Sequence, residues 1–155
     1  MQIVEARLIR DTETFGKMDP YVVCETRMQR IRTKTMEDAG KEVQWPDEFM
    51  QIDVKYVGDD LHLAVLDENV TDSDVVGDAI IKLSSLCINT GIDEWFEIQY
   101  KGKKAGDVHL KSEWKPKGET LVEKPKMEEA GRPQLKTTSG QVAARQVQYI
   151  PAAVM

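Results

Sequence analysis

Short runs of β-forming residues recur along this chain, and this spacing is the feature that most constrains its fold. Turn-forming residues separate the runs, and no window shows the sustained periodicity of an amphipathic helix. Strands that follow one another this closely predict an all-β sandwich or barrel. The eight predicted strands are residues 3–9, 21–28, 29–35, 49–56, 60–66, 76–83, 94–99 and 107–114.

Two of these runs alternate apolar and polar residues clearly enough to predict which side chains face the core. A turn at residues 58–60, of sequence Gly-Asp-Asp, is predicted to join strands 49–56 and 60–66 as a hairpin. The predicted inward-facing residues are Leu61, Leu63 and Val65 in one strand, and Val108, Leu110 and Trp114 in another.

The composition changes after Trp114, where proline and glycine recur and apolar residues become sparse. Such a segment has too little apolar surface to offset the entropy of ordering it. We therefore predict a domain over residues 1–116 and a basic, Pro/Gly-interrupted tail over residues 117–155. Three apolar residues near its end, Val147, Tyr149 and Ile150, are predicted to dock into a groove of another chain. The alternative is that this extended tail lies along the acidic surface of its own domain.

The net charge of the chain also changes sign after Trp114. Residues 1–114 carry 14 Lys and Arg against 23 Asp and Glu, a net charge of −9. Residues 115–155 carry 7 against 4, a net charge of +3. An acidic body repels nucleic acid, so nucleic acid is not an expected partner.

Sequence features also predict the cellular compartment. No run approaches the roughly 20 apolar residues that cross a bilayer, and the first residues lack the apolar stretch of a signal peptide. The two cysteines, Cys24 and Cys87, have no spacing that suggests a disulfide framework or a zinc site. We expect a cytoplasmic protein, either peripheral to a membrane or part of an intracellular assembly, with two reduced thiols.

Oxygen-bearing side chains gather in two of the predicted connections between strands. Calcium takes roughly 6 to 8 oxygen ligands, and loops can wrap around it more readily than strands can. Two interpretations stay open from spacing alone: a calcium site, or acidic loops exposed to solvent. The residues are Asp11, Glu13 and Asp19 in the first connection, and Asp67, Glu68, Asn69, Asp72 and Asp74 in the second.

A series of short motifs resembles the C2 domain family, in the order in which that family carries them. GKMDPYV at residues 16–22 resembles the family's GKxDPYV signature, and LAVLDEN at residues 63–69 resembles LxVxDxD. The other matches are RTK at 32–34, Gly40-Lys41 with WPDEF at 45–49, DVVG at 74–77, Trp95, and GDVHL at 106–110. The resemblance covers residues 1 to about 115. It implies an eight-stranded antiparallel Greek-key β-sandwich in the permuted, type II strand order.

The resemblance also implies a calcium site, because calcium-binding members use two aspartates of the first loop and three of the third. By position, Asp19, Asp67 and Asp74 match three of these aspartates, while Glu13 and Asn69 replace the other two. Both replacements keep a ligand oxygen, but asparagine lacks the charge. The third loop is also one residue short, so weak calcium binding is expected.

Two further features favour membrane docking. Phe15 and Val70 lie near the tips of the acidic loops, where apolar side chains could enter a membrane interface. Arg30, Arg32 and Lys34 alternate along one predicted strand, so all three point to one face that could hold a lipid headgroup or an acidic partner. For Phe15, packing against its own loop is an equal alternative, and a solvated strand face is an alternative for the basic row.

Two functions remain open from the sequence. The first is a non-enzymatic module that binds anionic phospholipid membranes in a calcium-dependent way. The second is a calcium-independent interaction module of a larger assembly, with the tail as a clamp. No nucleophile constellation or phosphate-binding glycine loop is present, so an enzyme is not expected.

Overall fold

Eight antiparallel strands form one curled sheet in the computed structural model, which describes residues 1–116. A four-residue helix α1 (Leu83–Leu86) and a 3-10 turn (Ile88–Thr90) follow the sixth strand. The predicted all-β fold with eight antiparallel strands is confirmed. The strands are β1 (Gln2–Leu8), β2 (Pro20–Glu25), β3 (Arg30–Arg32), β4 (Glu42–Gln44), β5 (Asp60–Glu68), β6 (Ser73–Lys82), β7 (Asp93–Tyr100) and β8 (Lys103–Lys111).

The sheet has the strand order β3-β2-β5-β6-β7-β8-β1-β4. Its two halves of four strands are joined by a single registered pair, Asp78 of β6 opposite Gln99 of β7. The neighbours β2 and β5, and likewise β8 and β1, are not consecutive in the chain, as in Greek-key sandwiches. β8 lies beside β1 and closes the domain, as the permuted strand order implies.

The core lies on the inner face of both halves. Leu61, Leu63 and Val65 of β5 are fully buried, which confirms the face predicted from their alternation. Val108 and Leu110 of β8 are fully buried as well. Trp114, predicted on the same face, instead lies beyond the end of β8 and is only half-buried.

The predicted strand 49–56 is wrong. Its residues alternate between buried and exposed as a strand would, but only Phe49 forms a bridge, to Gln2. The pairing with β1 is made instead by β4, where Val43 lies opposite Ala6. The physical reason is the lack of a neighbour, because within residues 1–116 no strand lies beside residues 51–54.

The predicted hairpin at residues 58–60 is wrong for the same reason. A turn does form, in which the Asp59 N–H donates to the carbonyl of Tyr56 at 3.1 Å. It leads into β5, but no strand precedes it. The tail residues Val147, Tyr149 and Ile150 lie outside the described residues, and the predicted division after residue 116 stays a prediction.

Candidate functional site

The two acidic connections meet at one end of the domain. β2 begins where β5 ends, because Pro20 lies opposite Asp67 in their antiparallel register. The loop of residues 9–19 and the loop of residues 69–72 therefore emerge side by side. The segment between β3 and β4 joins them, since the Gly40 N–H donates to the Met18 carbonyl at 2.9 Å. We call this surface the loop end.

Asp67 connects the two loops from within. The residue is only 1% exposed, and both of its carboxylate oxygens accept hydrogen bonds from the first loop. The hydroxyl of Thr12 donates to Oδ2 at 2.5 Å, and the N–H of Asp19 donates to Oδ1 at 2.7 Å. A buried carboxylate is tolerated when it is hydrogen-bonded in this way, so Asp67 holds the loops in register.

Among the other predicted calcium ligands, the side chains of Asp19, Asn69 and Asp74 also bond to protein groups. Asp19 Oδ1 accepts the N–H of Asp38 at 2.6 Å, and the Asn69 side-chain amide donates to Asp74 Oδ2 at 3.2 Å. Glu13 lies in the first loop, where its N–H donates to Asp11 Oδ1 at 3.1 Å.

These positions supply the oxygen atoms that calcium prefers, but their arrangement does not gather them around one point. Within residues 1–116, no three acidic, histidine or cysteine side chains lie close enough together to hold a metal ion. In this arrangement the carboxylates of Asp67 and Asp19 accept hydrogen bonds from neighbouring segments of the loop end. The five calcium-ligand positions stay a prediction from the resemblance.

The tips of both loops carry exposed apolar side chains. Phe15 is 89% exposed, and Val70 is fully exposed. Phe15 therefore does not pack against its own loop, which was the alternative left open by the sequence. Two apolar side chains thus stand clear of the domain on the same end, above carboxylates that are largely engaged in hydrogen bonds.

The basic row on and after β3 is already paired with carboxylates. Arg30 lies 3.7 Å from Glu25, and Lys34 lies 3.8 Å from Glu48. The Arg30–Glu25 pair is exposed on both sides and worth little, whereas Glu48 in the second pair is largely buried. The predicted headgroup role of Arg30, Arg32 and Lys34 stays a prediction, and it would require each side chain to leave its present partner.

Arg32 has the most contacts of the three. It reaches Glu68 at 3.0 Å, and its guanidinium lies 3.9 Å from the centre of the Tyr21 ring. The pKa of Glu68 is lowered by a hydrogen bond with Thr35 and then by the bond with Arg32. Sequence reasoning missed Thr12, Asp38 and this Arg32 cluster, because each contact joins segments that are distant in the chain.

In the part of the chain that the structure describes, no helix has the length and apolar character needed to span a membrane. Both cysteines, Cys24 and Cys87, are free.

Comparison with known proteins gives one consistent result. The family model described as C2 domain matches residues 1–98. Extended synaptotagmin-3 of Mus musculus is 27% identical over 118 residues, which cover 74% of this chain and 13% of that protein. Elicitor-responsive protein 3 of Oryza sativa subsp. japonica is 29% identical over 85 residues, 54% of this chain and 58% of that protein.

The solved structures agree with the sequence matches. A structure of extended synaptotagmin 2 that contains two of its C2 domains has a TM-score of 0.61 and 25% identity, over 72% of this chain and 38% of that one. This chain thus spans only a small part of the length of the extended synaptotagmins that it resembles. Since the family model covers more than half of the chain and the strand order agrees with it, this protein belongs to the C2 domain family.

Proposed function

We propose that this protein is a phospholipid-docking module that inserts Phe15 and Val70 of its loop end into the interfacial region of a membrane. The observation that carries the proposal is the exposure of two large apolar side chains at adjacent loop tips. Contiguous exposed apolar patches mark protein or membrane interaction sites, and these two tips belong to loops that emerge side by side. The relationship to extended synaptotagmin C2 domains supports the same function.

Shape favours a flat partner over a small ligand. Phe15 and Val70 project from loops that Asp67 ties together, so they can enter a surface as a unit. Each apolar side chain that leaves water contributes about 1.5–3 kcal/mol when fully buried, and less when it enters only the headgroup region. Two tips together therefore give moderate, reversible docking.

Charge at the loop end sets which lipids are favoured. Within residues 1–116, Glu13 and Asp72 form no ion pair, whereas Asp11 and Glu68 are paired with Lys41 and Arg32. An anionic surface is repelled by the unpaired carboxylates, and salt or a bound cation weakens that repulsion. Docking is assigned to the apolar tips, and calcium is a separable contribution that experiment can measure.

The test is vesicle co-sedimentation of the full 155-residue chain. Phosphatidylcholine vesicles, with and without phosphatidylserine, are compared in EDTA and in millimolar calcium. The double change Phe15→Ser with Val70→Ser is expected to weaken binding to every vesicle that the unchanged protein binds, by about tenfold or more. Phe49→Ser is the matched control, because Phe49 is 72% exposed but lies beside Gln2, where β1 begins, away from the loops.

Two outcomes would contradict the proposal: the double variant sediments like the unchanged protein, or Phe49→Ser loses as much binding. The calcium contribution is tested separately with Asp74→Asn, which changes an exposed residue. If calcium increases sedimentation of the unchanged protein but not of this variant, the predicted ligand set is supported. If calcium has no effect on either protein, docking proceeds through the tips alone.

A further inference from the structure

A second feature lies at the other end of the domain, where β1 begins. A cleft of about 420 Å³ opens there between two stretches of extended chain, residues 50–54 and residues 112–116. Its remaining lining comes from Met1, Leu83, Leu86 and Cys87. Because β1 starts at the cleft and ends at the first acidic loop, the cleft and the loop end lie at opposite ends of the sandwich.

The first wall of the cleft is the segment that failed to form the predicted strand. Met1 and Met50 exchange two main-chain hydrogen bonds, Met1 N to Met50 O at 2.9 Å and Met50 N to Met1 O at 2.8 Å. In an antiparallel ladder every second residue bonds to the same neighbour, so Ile52 and Val54 face the same way as Met50. Within residues 1–116, neither makes a main-chain hydrogen bond.

The second wall is the continuation of β8. Ser112 N donates to Ile92 O at 2.8 Å and Trp114 N donates to Thr90 O at 2.6 Å, which extends the register set by Asp93 opposite Lys111. These bonds point away from the cleft. By the same alternation, the main-chain groups of Glu113 and Lys115 point towards it. Within residues 1–116, they have no main-chain partner there.

The two walls are therefore the two neighbours of a strand that would lie in line with β1. Gln2 already pairs with Lys111 on one side, while Met1 pairs with Met50 on the other. The residues of such a strand are counted backwards from Met1. Its first and third residues would form main-chain hydrogen bonds with Glu113 and Lys115, and its second and fourth residues with Ile52 and Val54.

The floor of the cleft determines which side chains such a strand would carry. Leu83 and Leu86 are buried beneath it, and Ile52 and Val54 are half-buried while their neighbour Gln51 is exposed. A strand whose alternate residues are apolar would cover this floor, and its other residues would face solvent.

We propose that this cleft is a docking site for one extended strand of a partner polypeptide, with apolar residues at every second position and basic residues at its ends. Main-chain groups on both walls would give affinity, and the apolar floor would select side chains, as in β-strand addition. Basic ends are favoured because residues 1–114 carry a net −9 and because the acidic Asp53 and Glu113 outnumber Lys115 among the side chains that line the cleft. A small apolar ligand would leave the main-chain groups of both walls without partners.

In the first experiment the strand is part of the chain itself, as an extension at its N-terminus. The full chain is extended before Met1 by Val-Thr-Val-Thr, which puts valine at the second and fourth positions. The control extension is Thr-Val-Thr-Val, which has the same composition and the opposite alternation. The first extension is expected to raise the Tm by about 5 °C or more, and the control by much less. Equal melting temperatures would overturn the proposed register.

The second experiment supplies the strand as a separate peptide, Lys-Val-Thr-Val-Thr-Val-Lys with blocked ends. We expect saturable binding to the full chain, with amide NMR shifts at Ile52, Val54, Glu113 and Lys115. Methylation of every second peptide nitrogen removes the main-chain donors to one wall without changing side chains, and it should weaken binding by about tenfold or more. The Val-Thr-Val-Thr extension should also block the peptide.

Three results would overturn the proposal: no binding to the full chain or to its variant with Val147, Tyr149 and Ile150 changed to serine, equal binding of the methylated peptide, or shifts at the loop end alone. A fourth would overturn only the choice of occupant. If the peptide binds only after Val147, Tyr149 and Ile150 are changed to serine, the strand comes from this chain and not from a partner. None of these results depends on vesicle binding, so the docking function of the loop end is tested separately.

Discussion

In the described part of the chain, polar groups have hydrogen-bond partners at one end of this sandwich and lack main-chain partners at the other. At the loop end, Asp67 is buried and both of its oxygens accept hydrogen bonds, while the apolar Phe15 and Val70 are left exposed. At the cleft, apolar side chains cover the floor, while main-chain groups of Ile52 and Glu113 lack main-chain partners within residues 1–116.

The difference shows what each end can offer a partner. The loop end presents apolar side chains without a pattern of main-chain donors, which suits a surface with no fixed structure, such as a membrane. The cleft presents main-chain donors and acceptors in register, which suits another strand. The two proposals therefore assign two interaction surfaces of different chemistry to one β-sandwich.

The largest expected effect is at the cleft end, where Gly91→Ala should displace the second wall. Gly91 has φ +144°, and an added Cβ would come within about 2.0 Å of the Ser112 carbonyl oxygen. Backbone strain and overpacking each cost about 1–3 kcal/mol, so we expect a loss of about 3 kcal/mol or more in the free energy of unfolding. Urea denaturation measures it.

Gly102→Ala is the control for this change. Gly102 also has a positive φ, of +74°, but an added Cβ would meet nothing within 4 Å. Its cost should be about 1 kcal/mol, from backbone strain alone. If both variants lose the same free energy of unfolding, the close packing of Gly91 against Ser112 does not stabilise the second wall.

The next largest effect should be at the loop end, where Asp67→Ala leaves the N–H of Asp19 and the hydroxyl of Thr12 without their acceptor. Buried hydrogen bonds to a carboxylate are worth about 1.5–3 kcal/mol each, and we expect a loss of about 2–4 kcal/mol. Asp67→Asn should lose less, since an amide oxygen can still accept from Asp19. If the two variants are equally stable, Asp67 does not tie the loops.

Thiol reactivity should distinguish the two cysteines by their positions. Burial raises the pKa of Cys24 in β2 to about 12, and burial also raises the pKa of Cys87, which lines the cleft. Only the thiolate reacts, and its fraction grows as pH rises towards the pKa. At about pH 8, iodoacetamide should modify Cys87 first and Cys24 only after unfolding, as peptide mass spectrometry would show. Modification of Cys24 first would contradict this.

The smallest effect should come from the exposed tips. Phe15→Ser and Val70→Ser remove side chains that lie outside the core, so the free energy of unfolding should change by less than about 0.5 kcal/mol. Val76→Ser, at a fully buried site in β6, should cost several times more. A large loss at Phe15 would mean that its ring contributes to the fold and not only to docking.

Much of the fold could be predicted because alternation and turn signals are local. The predicted strand 60–66 lies within β5, the predicted strand 107–114 overlaps β8 only over residues 107–111, and Leu61 and Leu63 were correctly assigned to the core. The strand at residues 49–56 was wrong although its alternation is correct, because a strand also needs a neighbour. Residues 51–54 have the side-chain pattern without a paired chain on the side of β1.

The candidate site was predictable only in part. The sequence identified the acidic loops and the apolar tips, because residue type and position are enough for both. It could not show that Thr12 and Asp38 donate to those carboxylates, or that Arg32 pairs with Glu68. These contacts join residues that lie far apart in the chain, and no local pattern reports them.

The sequence by itself determined the all-β class, the inward faces of the central strands and the family, since these depend on residue order and side-chain alternation. The tertiary structure alone decided that the loop carboxylates bond to protein groups, and that a strand-wide cleft opens beyond Met1. The physical reason is that hydrogen bonds and strand pairing depend on which distant segments become neighbours. Side-chain alternation specifies which face of a strand is buried, but not what lies beside its edge.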